Sequence, residues 1–246
     1  MKKAVIVALC SLFLLPACQK QPQRVVFATT EAIPVDGSSD GIQDSAYLAI
    51  LAPIKANMER EMNVVLGYAA QDMWVDGPEC PMTNWASDAL FEAAKKVYPG
   101  QVDIAIVNMG GMRCSWAKGP ITKGNVFELM PFDNKLVVLT LSGEDVLELC
   151  ESFARYGGQG VAGMRVKILD GMVAEVTVGN KALDKKAQYK VATSDYLSSG
   201  ADHMDALANY SECWNSGLLI RDLYLTAVSE SDTIVAAVDG RMTIYP

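Results

Sequence analysis

Asp170-Gly171 stands between two β-rich runs, Arg165–Leu169 and Val173–Val178. An Asp-Gly pair supplies the positive-φ residues of a tight turn whose twist matches paired strands, so this stretch reads as a hairpin. A hairpin demands an antiparallel pair. The remaining elements mix helices and strands without strict βαβ alternation, and strict alternation is what an all-parallel sheet requires. The expected fold class is therefore α+β: one domain, with a mixed β-sheet and packed helices. No internal repeat, low-complexity segment or second-domain linker interrupts it.

Asp44 to Met62 repeats apolar residues at Leu48, Leu51, Ile54 and Met58, the spacing of a helical face. Asn63 to Ala69 reads as a strand. Trp85 to Val97 reads as a helix stopped by Pro99-Gly100, and Val102 to Val107 as a buried strand. Thr122 is placed to cap a short helix through Met130. Lys135 to Leu141 is a strand, and Ser142 opens a helix that ends near Tyr156 at Gly157-Gly158. Gln188 to Thr193 is a strand, Gly217 to Ser229 a helix, and Arg241 to Tyr245 a closing strand.

The first residues stand apart from the fold. Met1-Lys2-Lys3, an apolar stretch from Ala4 to Leu15, and then Leu15-Pro16-Ala17-Cys18 resemble a bacterial lipoprotein signal. In such a signal the thiol after the cut, here Cys18, is acylated. An ordinary secretory peptide with an incidental cysteine is the plainer alternative. The expected organisation is a signal peptide at 1–17, a lipidated tether and lead-in loop at 18–42, and a domain at 43–246. The chain would then be exported and held by its lipid to a bacterial membrane, on the periplasmic or cell-surface face. Roughly 200 residues remain for the domain, enough for its own core.

The formal net charge is −8, and removing Lys2 and Lys3 makes the chain more acidic still. That balance does not suit nucleic acid, whose binding runs on Lys and Arg. A small anion needs only one or two local arginines. Beyond Cys10 and Cys18 the chain holds Cys80, Cys114, Cys150 and Cys213. Three pairings of these four can be written, and four free thiols fit equally well. One histidine, His203, and the lack of zinc-ligand spacing argue against a transition-metal site within the chain. A carboxylate-only Mg or Ca site stays open. No metal ligand, cofactor or catalytic residue is assigned.

Three loops bordering β-like runs carry the chemistry. In Asn108-Met109-Gly110-Gly111-Met112-Arg113, glycines let backbone N–H groups approach a ligand, and Arg113 can hold a carboxylate or phosphate bidentately. In Met130-Pro131-Phe132-Asp133-Asn134, Phe132 offers a π-face and Asn134 a donor–acceptor pair suited to a flat heterocycle. In Thr193 to His203, Tyr196 supplies an aromatic and Asp202 can accept hydrogen bonds from vicinal hydroxyls. Each loop alone is equally a turn, with Arg113 solvated, Phe132 in the core and His203 in solvent.

Together and in this order, the three loops resemble the C-terminal, substrate-binding domain of 5'-nucleotidases and related UDP-sugar hydrolases. That pattern runs Asn-Gly-Gly-Gly-Ile-Arg, Gly-x-Ile-Thr, Pro-Phe-x-Asn, Thr-Gly before a helix, and a later Gly-Gly-Asp-Gly loop. This chain has Asn108 to Arg113, Gly119-Pro120-Ile121-Thr122, Pro131 to Asn134, Ser142-Gly143, and Tyr196 to Asp202. Ile50 to Gly67 and Glu79 to Leu90 resemble the leading segments, so the likeness runs from about residue 43 onward.

The resemblance implies a nucleotide- or nucleoside-binding domain in nucleotide catabolism. Phe132 and Tyr196 would sandwich the base, and Asn108 or Asn134 would bind its edge. Asp202 would hold the ribose, and Arg113, beside Gly111, would reach toward phosphate. In the family a separate metallophosphoesterase domain cuts the phosphate with two divalent metals. Here that part would come from a separately encoded partner. A stand-alone nucleoside-binding lipoprotein and a non-catalytic interaction protein are the alternatives. Three departures are visible: Met109 and Ala201 replace glycines, and no arginine lies between Arg60 and Arg113, where the family commonly places one.

Overall fold

The computed structural model describes residues 30–34, 37, 41 and 44–246. The expected signal peptide at 1–17, Cys18 and most of the expected tether at 18–42 lie outside the described residues. Residues 50–246 form one compact unit.

Helix α1 spans Ser45–Met62. The helical repeat expected there is present, yet none of its residues is buried. Strand β1, Val65–Ala69, leads to α2, Pro81–Val97, which starts four residues before the expected Trp85. Pro81 occupies the first turn, where a missing N–H costs nothing and the fixed φ suits a helix. Then follow β2 (Ile104–Val107), β3 (Gly119–Thr122), α3 (Lys123–Leu129), β4 (Lys135–Ser142) and α4 (Gly143–Tyr156). Both short-helix signals hold. Thr122 and Ser142 each accept the backbone N–H three residues on, and Asn125 and Asp145 return the bond as capping boxes. Gly157, at φ 88°, ends α4 in the left-handed conformation.

The hairpin forms as expected, β6 (Met164–Leu169) against β7 (Met172–Val178), with Asp170 and Gly171 both at positive φ. Short β5 (Gly160–Ala162) and β8 (Lys181–Ala182) flank it in sequence, and β9 spans Gln188–Ser194. The expected helix from Gly217 is corrected. Glu212–Leu219 is strand β10, and α5 covers Ile220–Glu230. Residues 212–215 and 219 pair antiparallel with β4, and Gly217 sits at φ 73° in the irregular step between them. Strands β11 (Thr233–Ile234) and β12 (Met242–Tyr245) close the chain.

The strands make three mixed sheets rather than one: β11-β1-β3, β10-β4-β9-β2-β5 and β12-β6-β7-β8. The five-stranded sheet is the centre. Its alternate residues feed two cores, Ala105, Val107, Leu136, Val138 and Ala192 on one face and Ile104, Ile106, Val137, Leu139 and Val191 on the other. Helices α2 and α5 cover the first face and α4 the second, so β2 and residues 136–141 of β4 are buried continuously rather than alternately. Within residues 50–246, the α+β fold expected from the hairpin and the mixed elements is the one observed.

Candidate functional site

Register brings the three loops to one end of the central sheet. Strand β9 runs parallel to β2 and antiparallel to β4. The chain therefore leaves β2 at Asn108, enters β4 after Asn134 and leaves β9 at Asp195 on the same side. Strand β10 is antiparallel to β4, so the start of α5 arrives there too.

The first loop turns through a 3-10 segment, Met109–Gly111. The Met109 N–H donates to Gln159 Oε1 at 2.6 Å. Gly111 packs on the Asn108 side chain so closely that an added Cβ would lie 2.6 Å from Asn108 Oδ1. The Arg113 N–H donates to Leu129 O at 2.9 Å, which ties this loop to the one carrying Phe132. Its guanidinium Nη1 bends back onto Gly110 O at 3.1 Å.

In the second loop, Phe132 is 40% exposed, which removes the reading of it as core. Asn134 is half-buried, and its carbonyl accepts the Ile220 N–H at 2.9 Å. In the third, Tyr196 is 46% exposed. Its hydroxyl donates to Asp202 Oδ1 at 3.0 Å, and Asn108 Nδ2 donates to Asp202 Oδ2. The hydrogen bond and charge of Asp202 hold the Tyr196 phenol above its ordinary pKa. Asp202 takes the left-handed conformation, at φ 55°, which a short polar side chain tolerates. His203, at φ 62°, is not simply solvated. Its ring stacks on Tyr156 at 4.0 Å, and its carbonyl accepts the Ser152 hydroxyl.

The structure thus joins Asn108, Tyr196 and Asp202 by direct bonds and sets Gly111 against Asn108. Phe132, Asn134 and Arg113 are placed on the adjoining loop segments. An exposed aromatic on each of two loops, with amides and a carboxylate at the same end of the sheet, suits a flat ring bearing hydroxyls. Among the described residues, no group of three or more His, Cys, Asp or Glu converges as a metal site. Cys80, Cys114, Cys150 and Cys213 are free thiols, which resolves that choice.

Reading the sequence missed three residues. Gln159 holds the first loop. Asp195 Oδ1 accepts both the Lys135 and the Tyr196 N–H at 2.9 Å. Arg221, at the start of α5, reaches Phe132 O and Asp133 Oδ1 at 3.3 and 2.7 Å. Asp195 lay inside the third loop without a role, and Arg221 lay inside the misplaced helix.

Residues 65–209 match the family model described as 5'-nucleotidase, C-terminal domain. A 5'-nucleotidase of Vibrio cholerae is 24% identical over 223 residues, covering 85% of this chain and 39% of that protein. A trifunctional nucleotide phosphoesterase of Bacillus subtilis is 26% identical, covering 78% of this chain and 14% of that one. A solved 5'-nucleotidase precursor from Thermus thermophilus superposes with a TM-score of 0.71 at 26% identity, over 81% of this chain and 42% of that one. The chain spans about 40% of the length of such 5'-nucleotidases. The motifs, the fold and the matched residues agree, and the chain belongs to the 5'-nucleotidase C-terminal domain family.

Proposed function

We propose that this chain is a nucleoside- or nucleotide-binding domain that supplies substrate recognition to a 5'-nucleotidase-type hydrolase. The observation that carries the reading is the convergence of two exposed aromatics with the Asn108–Asp202–Tyr196 network at one sheet end. Phe132 and Tyr196 stack the base, an asparagine binds its edge, and Asp202 takes the ribose hydroxyls. Arg113 turns outward from Gly110 O to meet phosphate. The water-activating metals belong to a separately encoded metallophosphoesterase, which this domain serves by positioning the substrate. The chain is exported and anchored through a lipid on Cys18.

Calorimetric titration of the full chain with adenosine and AMP tests the binding. Both ligands should bind, AMP more tightly, and Phe132→Ala should weaken both. Equal heats of dilution for all four titrations would falsify the reading. Adding the chain to a metallophosphoesterase that lacks such a domain should raise nucleotidase rate or lower KM.

A second reading has its own observation. The Arg113 head is occupied by Gly110 O, and no arginine lies between Arg60 and Arg113. A nucleoside-binding lipoprotein without a partner would bind adenosine and AMP equally.

A further inference from the structure

The two stacking aromatics are not on one rigid element. Phe132 sits on the loop between α3 and β4, and Tyr196 on the loop after β9. Something must hold the gap between them, because a slot for a flat ring loses contact if either wall drifts by an ångström or so. On the Tyr196 side, Asp195 does so with one oxygen. Oδ1 accepts the Lys135 N–H and the Tyr196 N–H, each at 2.9 Å, and the Asp195 N–H donates back to Lys135 O. The first residue of β4 and the aromatic of the third loop thus share one acceptor.

On the Phe132 side the anchor is Arg221. Its side chain is only 12% exposed. The guanidinium lies over the Phe127 ring at 4.5 Å, donates Nη1 to Phe132 O at 3.3 Å and pairs Nη2 with Asp133 Oδ1 at 2.7 Å. Buried Nε finds no partner among the described residues. An unpaired buried donor is costly, and the planar fork stacked on Phe127 fixes the head in one orientation. The adjacent Ile220 N–H holds Asn134 O. The start of α5 therefore grips both ends of Phe132-Asp133-Asn134.

We infer that Arg221 and Asp195 are positioning residues that set the separation of Phe132 and Tyr196, and so the affinity for a planar base. The inference rests on the proposed binding role. It differs from that role in placing the control of affinity in residues that need not touch the ligand.

The test is a double-mutant cycle on the full chain, read as adenosine affinity by calorimetry, with thermal midpoints measured alongside. Arg221→Gln should weaken adenosine about tenfold in the wild-type background and leave it unchanged when Phe132 is already alanine. General loosening of the fold would instead weaken both backgrounds alike, and that additive result overturns the inference. Asp133→Ala removes the charge and the acceptor together from an exposed position without touching α5, and it decides the matter if Arg221→Gln does not fold. Unchanged adenosine affinity in Asp133→Ala would then overturn it. Weakening by Phe132→Ala without weakening by either anchor variant sinks the inference alone. No adenosine binding by the wild-type chain sinks the binding role and the inference together.

Discussion

The Tyr196 hydroxyl donates to one oxygen of Asp202 at 3.0 Å while Asn108 donates to the other. The carboxylate is thus fixed by groups from two loops. The phenol that helps fix it belongs to the ring proposed to stack on the base. Tyr196→Phe keeps the ring and frees Asp202 Oδ1. Tyr196→Ala removes both. The phenylalanine variant should retain adenosine binding within a few-fold, whereas the alanine variant should lose roughly tenfold or more. Calorimetry on both variants checks this, and equal losses would mean that the ring does not stack.

Gly111 is required by space rather than by conformation. An added methyl would meet Asn108 Oδ1 at 2.6 Å, and Asn108 is the donor to Asp202. Gly111→Ala should therefore push Asn108 off its acceptor and destabilise the fold by about 1–3 kcal/mol, the usual cost of overpacking. Its effect on adenosine affinity should exceed that of Gly110→Ala, where the nearest atom is Asp202 Oδ2 at 3.7 Å. Paired urea denaturation and titration measure the two losses separately.

Ser142 tests the capping argument away from the site. Its hydroxyl accepts the Asp145 N–H at 3.1 Å, and Asp145 returns bonds to the Ser142 hydroxyl and N–H. Ser142→Ala should cost about 1 kcal/mol in urea denaturation and leave nucleoside binding unchanged.

Much of this was legible in the sequence because the signals were local. Asp170-Gly171, the two caps and the Gly157-Gly158 stop act within a few residues of themselves. The candidate loops were legible because each borders an apolar run. Strand β10 was not, since Glu212–Leu219 is mostly solvent-accessible, lacks an apolar alternation and is broken at Gly217. The two-residue strands β8 and β11 are too short to carry a pattern. Arg221 and Asp195 escaped for a different reason. Their partners lie on remote segments: Arg221 reaches Phe132 O and the Asp133 carboxylate some 88 residues back, and the Lys135 N–H that donates to Asp195 leaves no mark on residue type at position 135. Misplacing the start of α5 by three residues also hid the fact that Arg221 stands at the site end of the sheet.

Asp239 predicts a pH dependence. Its hydrogen bond with Arg241 holds the carboxyl below its ordinary value of about 3.9, against the opposing effect of burial, and the charges of Arg241 and Arg165 add to this. The unfolded chain then binds more protons than the folded one in the window just below that value, so stability rises with pH there. The contribution is complete above the unfolded pKa and is lost as pH falls through the lowered folded one. Asp239→Asn should be less stable than wild type near neutrality, and the gap should narrow below about pH 4. Arg241 keeps Asp88 in either case, at 2.6 Å, so the variant should still fold. Urea midpoints across the range settle it, and a gap that stays constant into acid would show that the carboxylate is not linked to stability.

The four free thiols should separate by burial. Cys213 is exposed, Cys114 half-buried, and Cys80 and Cys150 buried. Burial, with Glu151 nearby, pushes the Cys150 thiol up to about 12. Burial and then Glu128 raise Cys114 above its ordinary value, and partial burial raises Cys213. Thiolate is the reactive form, so reaction with a soluble disulfide reagent should be slow at neutral pH and accelerate in mild base. Cys213 should modify first and Cys114 second. Cys80 and Cys150 should react only when urea opens the core, at rates that follow unfolding. Peptide mapping after timed labelling identifies the order, and early loss of the Cys150 thiol in native buffer would contradict its place on the buried face of α4.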